Sequence, residues 1–300
     1  MTQLPTVKQL RYFTALEVTG HFGRAAEACF VSQSAFSAAI RELETVLDVQ
    51  LVDRTTKRVA ITPIGREIAA QARLALRDIE QLVQMAGRAR QPLTGRLTIG
   101  VIPTIAPFLL PKALPYIRKR HPELQIFIRE ERSADLSEGL ADGSLDVALL
   151  ALPYPLRNVE VEILFRDRFL LACHKNTQLV DPEKFSINRV TANSILLLDD
   201  GHCLRDHALA ACQVRNLDAV NRFAASSLLT LIEMVDEDLG VSFIPEMAVG
   251  SSLLKHTSVK TWPMAKNNYR DIALIWRKSS ARSEEFGMLA DLIKAAASSR

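Results

Sequence analysis

The sequence predicts a mixed α/β chain in two parts: a small helical module with a short hairpin, then a larger body of two α/β lobes, joined by one long helix. Three observations carry this. At 300 residues the chain is about twice the ~150 residues of a common domain. Apolar residues recur at helical spacing as far as Ala86, then give way to alternating strand-like and helical runs from Arg96. The basic surplus sits wholly in the first third: residues 1–92 hold 12 Lys and Arg against 9 Asp and Glu, the remainder 25 against 25.

The composition, 48% hydrophobic and 24% charged, supplies a core and excludes a disordered chain. No apolar run approaches the ~18 residues of a membrane span. The opening MTQLPTVKQLRYF lacks the apolar stretch of an export signal, so the expected location is the cytoplasm. In that reducing compartment a pair among the four cysteines reads as chemically active rather than as a permanent bridge.

Thr6 is the expected N-cap of a first helix, with Gln9 as its capping-box partner and Gly20 as its end. A second helix is expected from about Phe22 to Cys29. Ser32 caps a third, Gln33 to Leu47, whose Phe36, Ile40, Leu43 and Leu47 form one buried stripe. Gln33, Ser37 and Arg41 share another face, which is polar and basic. Asp48 stands where the chain must turn. Leu51-Val52 and Val59-Ala60-Ile61 read as two short strands around the basic tip Asp53 to Arg58. Thr62-Pro63 restarts a helix, with Thr62 as the expected N-cap and Pro63 at the first position. Ile64, Ile68, Ala72, Ala75, Ile79, Leu82 and Ala86 then make a seam along roughly 33 Å of helix. A pairing helix accounts for that seam better than a helix packed on its own body. From Arg96 the runs 97–102, 124–128 and 146–152, then 169–174, 194–198, 221–225, 241–245 and 271–276, are strand-like with helices between, the order of a mostly parallel sheet. Two lobes crossed twice by the chain would leave a cleft between them.

Two helices, a tight turn and a polar outer face suit the major groove, where side chains read base edges and basic flanks hold phosphates. Ser32, Gln33, Ser34, Ser37 and Arg41 are the candidate groove residues, and Arg54, Lys57 and Arg58 the candidate phosphate contacts. The run 21–65, HFGRAAEACFVSQSAFSAAIRELETVLDVQLVDRTTKRVAITPIG, resembles the winged helix-turn-helix of LysR-type bacterial transcriptional regulators. Ala25-Ala26, Val31-Ser32-Gln33, Leu43-Glu44, Leu51 through Arg54-Thr55, and Thr62-Pro63 with Gly65 carry the likeness, which extends over essentially the whole chain. Ser34, Asp48 and Val52 stand where the family usually has Pro, Gly and Phe.

The resemblance implies a winged helix-turn-helix over residues 1–62, a linker and dimerisation helix with a hinge over 63–95, and an effector domain over 96–300. That domain would be bilobed, like a periplasmic binding protein, with lobe I about 96–164 plus 269–300 and lobe II about 165–268. It further implies double-stranded promoter DNA and RNA polymerase as partners and a homotetramer built as a dimer of dimers.

Residues 199–212 read DDGHCLRDHALAAC. If Leu204 to Cys212 is helical, Cys203 and Cys212 lie on opposite faces about 13 Å apart along the axis, too far for a disulfide. Joining them would require the helix to unwind. A helix start, with His202, Arg205 and His207 nearby, should favour the Cys203 thiolate, and Asp206 should oppose it. Two alternatives stand beside this: a pair of inert buried cysteines, or zinc held by His202, Cys203, His207 and Cys212. Gly201 to Asp206 plus the nine-residue spacing closely resembles the peroxide-sensing segment found in some LysR-type regulators. The resemblance implies Cys203 as the cysteine that peroxide oxidises to sulfenic acid and Cys212 as the one that captures it. A glutaredoxin- or thioredoxin-type reductant would reverse the bond.

By the same resemblance Thr104, Ser133, His202, Arg205 and Asp206 surround the peroxide, though Thr104 also reads as a helix N-cap. No cofactor and no metal are implied. Cys29 and Cys173 read as buried. A small organic anion near Thr104 and Ser226 is the alternative signal. A thiol peroxidase is the alternative class, weakened because no nucleotide fingerprint, CxxC or triad-like motif appears and the N-terminal module would be idle.

Overall fold

The computed structural model describes residues 4–55, 58–88, 92–214, 217–264 and 267–298. The chain divides into two units, an N-terminal one and one beginning at Pro92.

In the N-terminal unit, α1 (Val7–Thr19) starts on the expected capping box of Thr6 and Gln9 and ends at Gly20 in the left-handed conformation. Next come α2 (Phe22–Ala28) and α3 (Gln33–Leu47), the latter capped by the Ser32 hydroxyl, which accepts from Ala35 N. Asp48 closes α3 at φ 51°, the turn its position required. Phe36 is buried and stacks on Tyr12 at 5.0 Å. The antiparallel pair β1 (Val52–Thr55) and β2 (Arg58–Ile61) makes the expected wing. Glu44 on α3 latches its base, one carboxylate oxygen accepting from Leu51 N at 2.9 Å and Val52 N at 3.1 Å. Thr62 then accepts from Gly65 N and donates to Gln50 O. A Cβ on Gly65 would stand 2.5 Å from the Leu51 carbonyl, so this close approach of helix to wing needs glycine. In α4 (Pro63–Arg88) Ala69 and Ala72 are buried, whereas Ile79 and Leu82 are 38% and 67% exposed.

The C-terminal unit holds β3 (Gly95–Val101), α5 (Ala106–Arg120), β4 (Leu124–Glu130), α6 (Ser133–Ala141), β5 (Val147–Leu152) and β6 (Val159–His174). After these come β7 (Ile195–Leu198), α7 (Cys203–Ala211), β8 (Val220–Ala225), α8 (Leu228–Asp236), β9 (Ser242–Pro245), β10 (Val259–Pro263), β11 (Tyr269–Arg277) and α9 (Ser283–Ser298). The sheet is not mostly parallel. β3 pairs with β4 and β5 in parallel, and β7 with β8, but β11 runs antiparallel to β5 and β6, and β6 antiparallel to β9 and β10. The difference arises in β6, sixteen residues long, of which the sequence reading recognised only the apolar end FLLACH. Its first half alternates polar and apolar residues and pairs with β11; its second half pairs with β9 and β10. One strand thereby joins two separate apolar cores, one built on β3, β5, β11, α5 and α9, the other on β6, β7, β9 and α8.

Candidate redox site and nucleic-acid interface

The redox segment is assembled by the turn before α7. Gly201 takes φ 94°, and a Cβ there would meet the Arg132 guanidinium at 2.8 Å. Arg132 donates to the Asp200 carbonyl at 3.3 Å and to Asp199 Oδ2 at 3.2 Å. His202 is the N-cap of α7, buried, its Nε2 3.2 Å from Asp199 Oδ1. Burial holds its pKa below the ordinary value, with Asp199 opposing and Arg132 assisting. Arg205 is spent on the same turn, pairing with Asp200 at 3.1 Å and donating to the Leu198 carbonyl. Asp206 is exposed on the first turn of the helix.

Cys203 is the first residue of α7 and Cys212 its C-cap; both are buried free thiols. They belong to different apolar cores, Cys203 to the first and Cys212 to the second. Nine helical steps separate them by about 13 Å along the axis, against the roughly 4.4–6.8 Å between Cα atoms that a disulfide allows.

The electrostatics correct one expectation. The helix start does not bring the Cys203 thiol down: burial pushes it up and outweighs the Ser133 hydroxyl and the Arg270 charge, which both favour thiolate, while Asp206 adds to the rise. Cys212 and Cys173 are each pushed up to about 12, Cys212 by burial alone and Cys173 by burial and then Asp238. Cys212 donates to Met264 Sδ at 3.8 Å beside a cleft of about 300 Å3 lined by Leu171, Phe185, Pro263, Met264 and Asn268. Among these three buried thiols Cys203 alone has neighbours that stabilise its anion through their own charge or hydroxyl. Cys29 is half-buried at the end of α2, not buried as expected.

Thr104, Ser133 and Cys203 come together around Arg270, a residue the sequence reading missed. Arg270, 1% exposed, donates from Nη1 to the Thr104 hydroxyl and from Nη2 to the Thr104 carbonyl, both at 2.9 Å. Its charge is neutralised by Asp167 Oδ2 at 3.0 Å. Thr104 therefore is not a helix N-cap; Ile105 takes that place with no side-chain bond. Ser133 opens α6 with its Oγ buried and without a full hydrogen bond. His207, also buried, bonds the Pro153 carbonyl through Nε2 at 2.8 Å and leaves Nδ1 unpartnered. The signal for Arg270 was the period of two: it shares a strand face with Ile272, Leu274 and Trp276, all buried, so its charge points into the core. Among the described residues no group of His, Cys, Asp and Glu is arranged to hold a metal, and the four zinc candidates are spread over both ends of α7.

On the N-terminal unit Ser32, Gln33, Ser34 and Arg41 are exposed along α3 and Ser37 is half-buried. The Ser32 hydroxyl both caps the helix and lies 3.1 Å from that of Ser34. Lys57 lies outside the described residues, as do the side chains of Arg54 and Arg58. Phe30, unremarked in the sequence, sits 96% exposed at φ 57° in the turn before α3.

A capped polar helix beside a latched wing, with a two-core α/β unit downstream, defines a DNA-binding regulator with an effector domain. Residues 7–66 match the model for the bacterial regulatory helix-turn-helix protein of the lysR family, and residues 90–298 match the LysR substrate binding domain. The chain belongs to the LysR family of transcriptional regulators, and is a regulator rather than an enzyme. Relatives include the HTH-type transcriptional regulator EstR of Acinetobacter baylyi, 39% identical over 98% of both chains. Another is a hydrogen peroxide-inducible genes activator of Haemophilus influenzae, 36% identical over 96% of this chain and 95% of that one. A cysteine-to-aspartate variant of full-length OxyR from Pseudomonas aeruginosa is similar in structure, with TM-score 0.79 and 31% identity over 97% of this chain and 95% of that one.

Proposed function

We propose that this regulator responds to hydrogen peroxide through oxidation of Cys203 to a sulfenic acid and its capture by Cys212. The observation that carries the reading is the asymmetry of the two thiols across α7. One sits beside a hydroxyl and a guanidinium, the other has only a methionine sulfur, and a standing helix holds them apart. The name of the Haemophilus relative, a hydrogen peroxide-inducible activator, supports the same reading. Bond formation unwinds 203–212, which belongs to both cores, so packing on each side changes and the spacing of DNA contacts follows. A thiol reductant resets the pair. Tryptic peptides after one equivalent of peroxide should carry a Cys203–Cys212 crosslink, since Arg205 lies between the two; absence of that crosslink sinks the reading.

For DNA, Gln33, Ser34, Ser37 and Arg41 read bases, Ser32 serves cap and groove together, and Arg54, Lys57 and Arg58 hold phosphates. The exposed Ile79 and Leu82 on α4 pair two copies, and effector domains pair separately to a tetramer that recruits RNA polymerase at promoters. Loss of Arg58 should reduce the salt slope of operator binding by about one unit. Against a small organic anion beside Thr104 and Ser226 stands the Arg270 guanidinium, already neutralised by Asp167.

A further inference from the structure

We propose that His207 takes the proton of the Cys203 thiol and returns it to the departing oxygen as the sulfur is oxidised. This rests on the peroxide reading above. Residues four apart on a helix share a face with Cβ atoms about 5–6 Å apart, which makes His207 the next buried polar side chain along α7 from Cys203. The Pro153 carbonyl is an acceptor only, so in the neutral ring Nε2 carries the hydrogen and Nδ1 is a bare lone pair. That Nδ1 is buried and has no partner, and a buried acceptor in that condition calls for an explanation. Ser133 Oγ, on α6, is likewise buried, and of its surroundings it is the Cys203 sulfur that it acts on. A molecule as small as hydrogen peroxide, with two donors and four lone pairs, can bond the Ser133 hydroxyl and, once Nδ1 holds the thiol's proton, accept from that N–H while presenting an oxygen to the sulfur.

The surroundings keep the ring ready. Burial and Arg270 on β11 hold His207 below its ordinary pKa, against the Pro153 carbonyl and Asp206, so it is neutral at neutral pH, as a proton acceptor must be. Tyr154, after β5, lies near enough to feel Cys203, and burial keeps it protonated. The thiol needs such help because its own pKa is raised. In the step, the S–H proton moves to His207 Nδ1 and the thiolate attacks the nearer peroxide oxygen. The S–O bond forms as O–O breaks, and the imidazolium gives its proton to the leaving hydroxide. Sulfur loses two electrons and peroxide gains them; the products are a sulfenic acid, water and the neutral ring.

The test uses the full chain and its His207→Gln variant, which keeps a donor for Pro153 but no base. Cys203 modification by hydrogen peroxide and by iodoacetamide is followed by mass spectrometry across pH. At neutral pH the variant should react on the order of 100-fold more slowly with peroxide, and more slowly with iodoacetamide. Both deficits should shrink as pH rises and hydroxide takes the proton instead, a recovery that a merely misfolded site would not show. The unaltered protein gives a second readout: its rate should be level through neutrality and fall in acid with an inflection below the usual histidine range. A variant as fast as the parent with both reagents, or a parent rate climbing steadily with pH and no plateau, overturns the proposal. A parent inert to peroxide whose alkylation still depends on His207 overturns the peroxide reading and leaves the proton acceptor standing.

Discussion

The two ends of α7 place the same functional group in opposite company. Cys203 and Cys212 are both buried and both pushed above an ordinary thiol, yet only Cys203 has a hydroxyl and a guanidinium that stabilise its anion. Cys212 rests in apolar packing with a sulfur acceptor. Burial sets the resting state of both as protonated; the neighbours decide which one reacts first. A helix start alone did not suffice, because a dipole effect of about 0.3–1 kcal/mol is smaller than the desolvation of a thiolate in a core.

The heaviest blow to this asymmetry is Arg270→Met. It leaves the buried Asp167 carboxylate without its counter-charge, only the Met247 N–H remaining on Oδ1, which should cost about 3–5 kcal/mol in denaturant unfolding. It should also raise the Cys203 thiol further while leaving Cys212 where it is. Equal effects on both thiols would erase the distinction.

Stability should also report both ends through pH. The folded-state pKa of Cys212 and Cys173 is raised to about 12 from 9.0, so the unfolded chain ionises first. Stability should therefore be whole below pH 9.0 and decline above it, by about 1.4 kcal/mol per pH unit for each thiol. Cys212→Ala should flatten that decline. On the acid side His202 and His207 are held neutral, so stability should fall as pH drops below the ordinary histidine value of 6.5, where the unfolded chain binds protons first. Melting temperature across pH checks both arms.

Ser133→Ala should slow alkylation of Cys203 roughly tenfold, the worth of one hydrogen bond to a charged group at ~1.5 kcal/mol. Thermal stability should hardly move, because Ser133 Oγ has no full hydrogen bond to lose. Least of all, Met264→Leu should cost under ~1.5 kcal/mol and change only Cys212.

Much of this was legible in the sequence where one residue type has one job. Thr6, Ser32 and Thr62 read as caps, Asp48 as a turn and Gly65 as part of a motif, because capping and left-handed backbone draw on few residue types. The separation of Cys203 from Cys212 was legible from their spacing on one helix. For Arg270 the period of two marked only a buried strand face; its partners Asp167 and Thr104, 103 and 166 positions away, were not legible. Pairing across such separations leaves no local pattern. Strand direction failed for a similar cause: β6 begins as an alternating charged run, and only its pairing with β11 makes it the bridge between two cores. Thr104 was read as a possible cap of α5, but its hydroxyl receives Arg270 and Ile105 holds the cap position.

The claim on which the account turns is that α7 keeps two sulfurs apart and that joining them dismantles it. Hydrogen exchange of the amides of residues 207–212, in reduced protein and after one equivalent of peroxide, addresses it directly. Protection should be present in the reduced form, vanish with the appearance of the crosslink, and persist in peroxide-treated Cys212→Ser. A crosslinked Cys203–Cys212 protein whose α7 amides stay protected would contradict it.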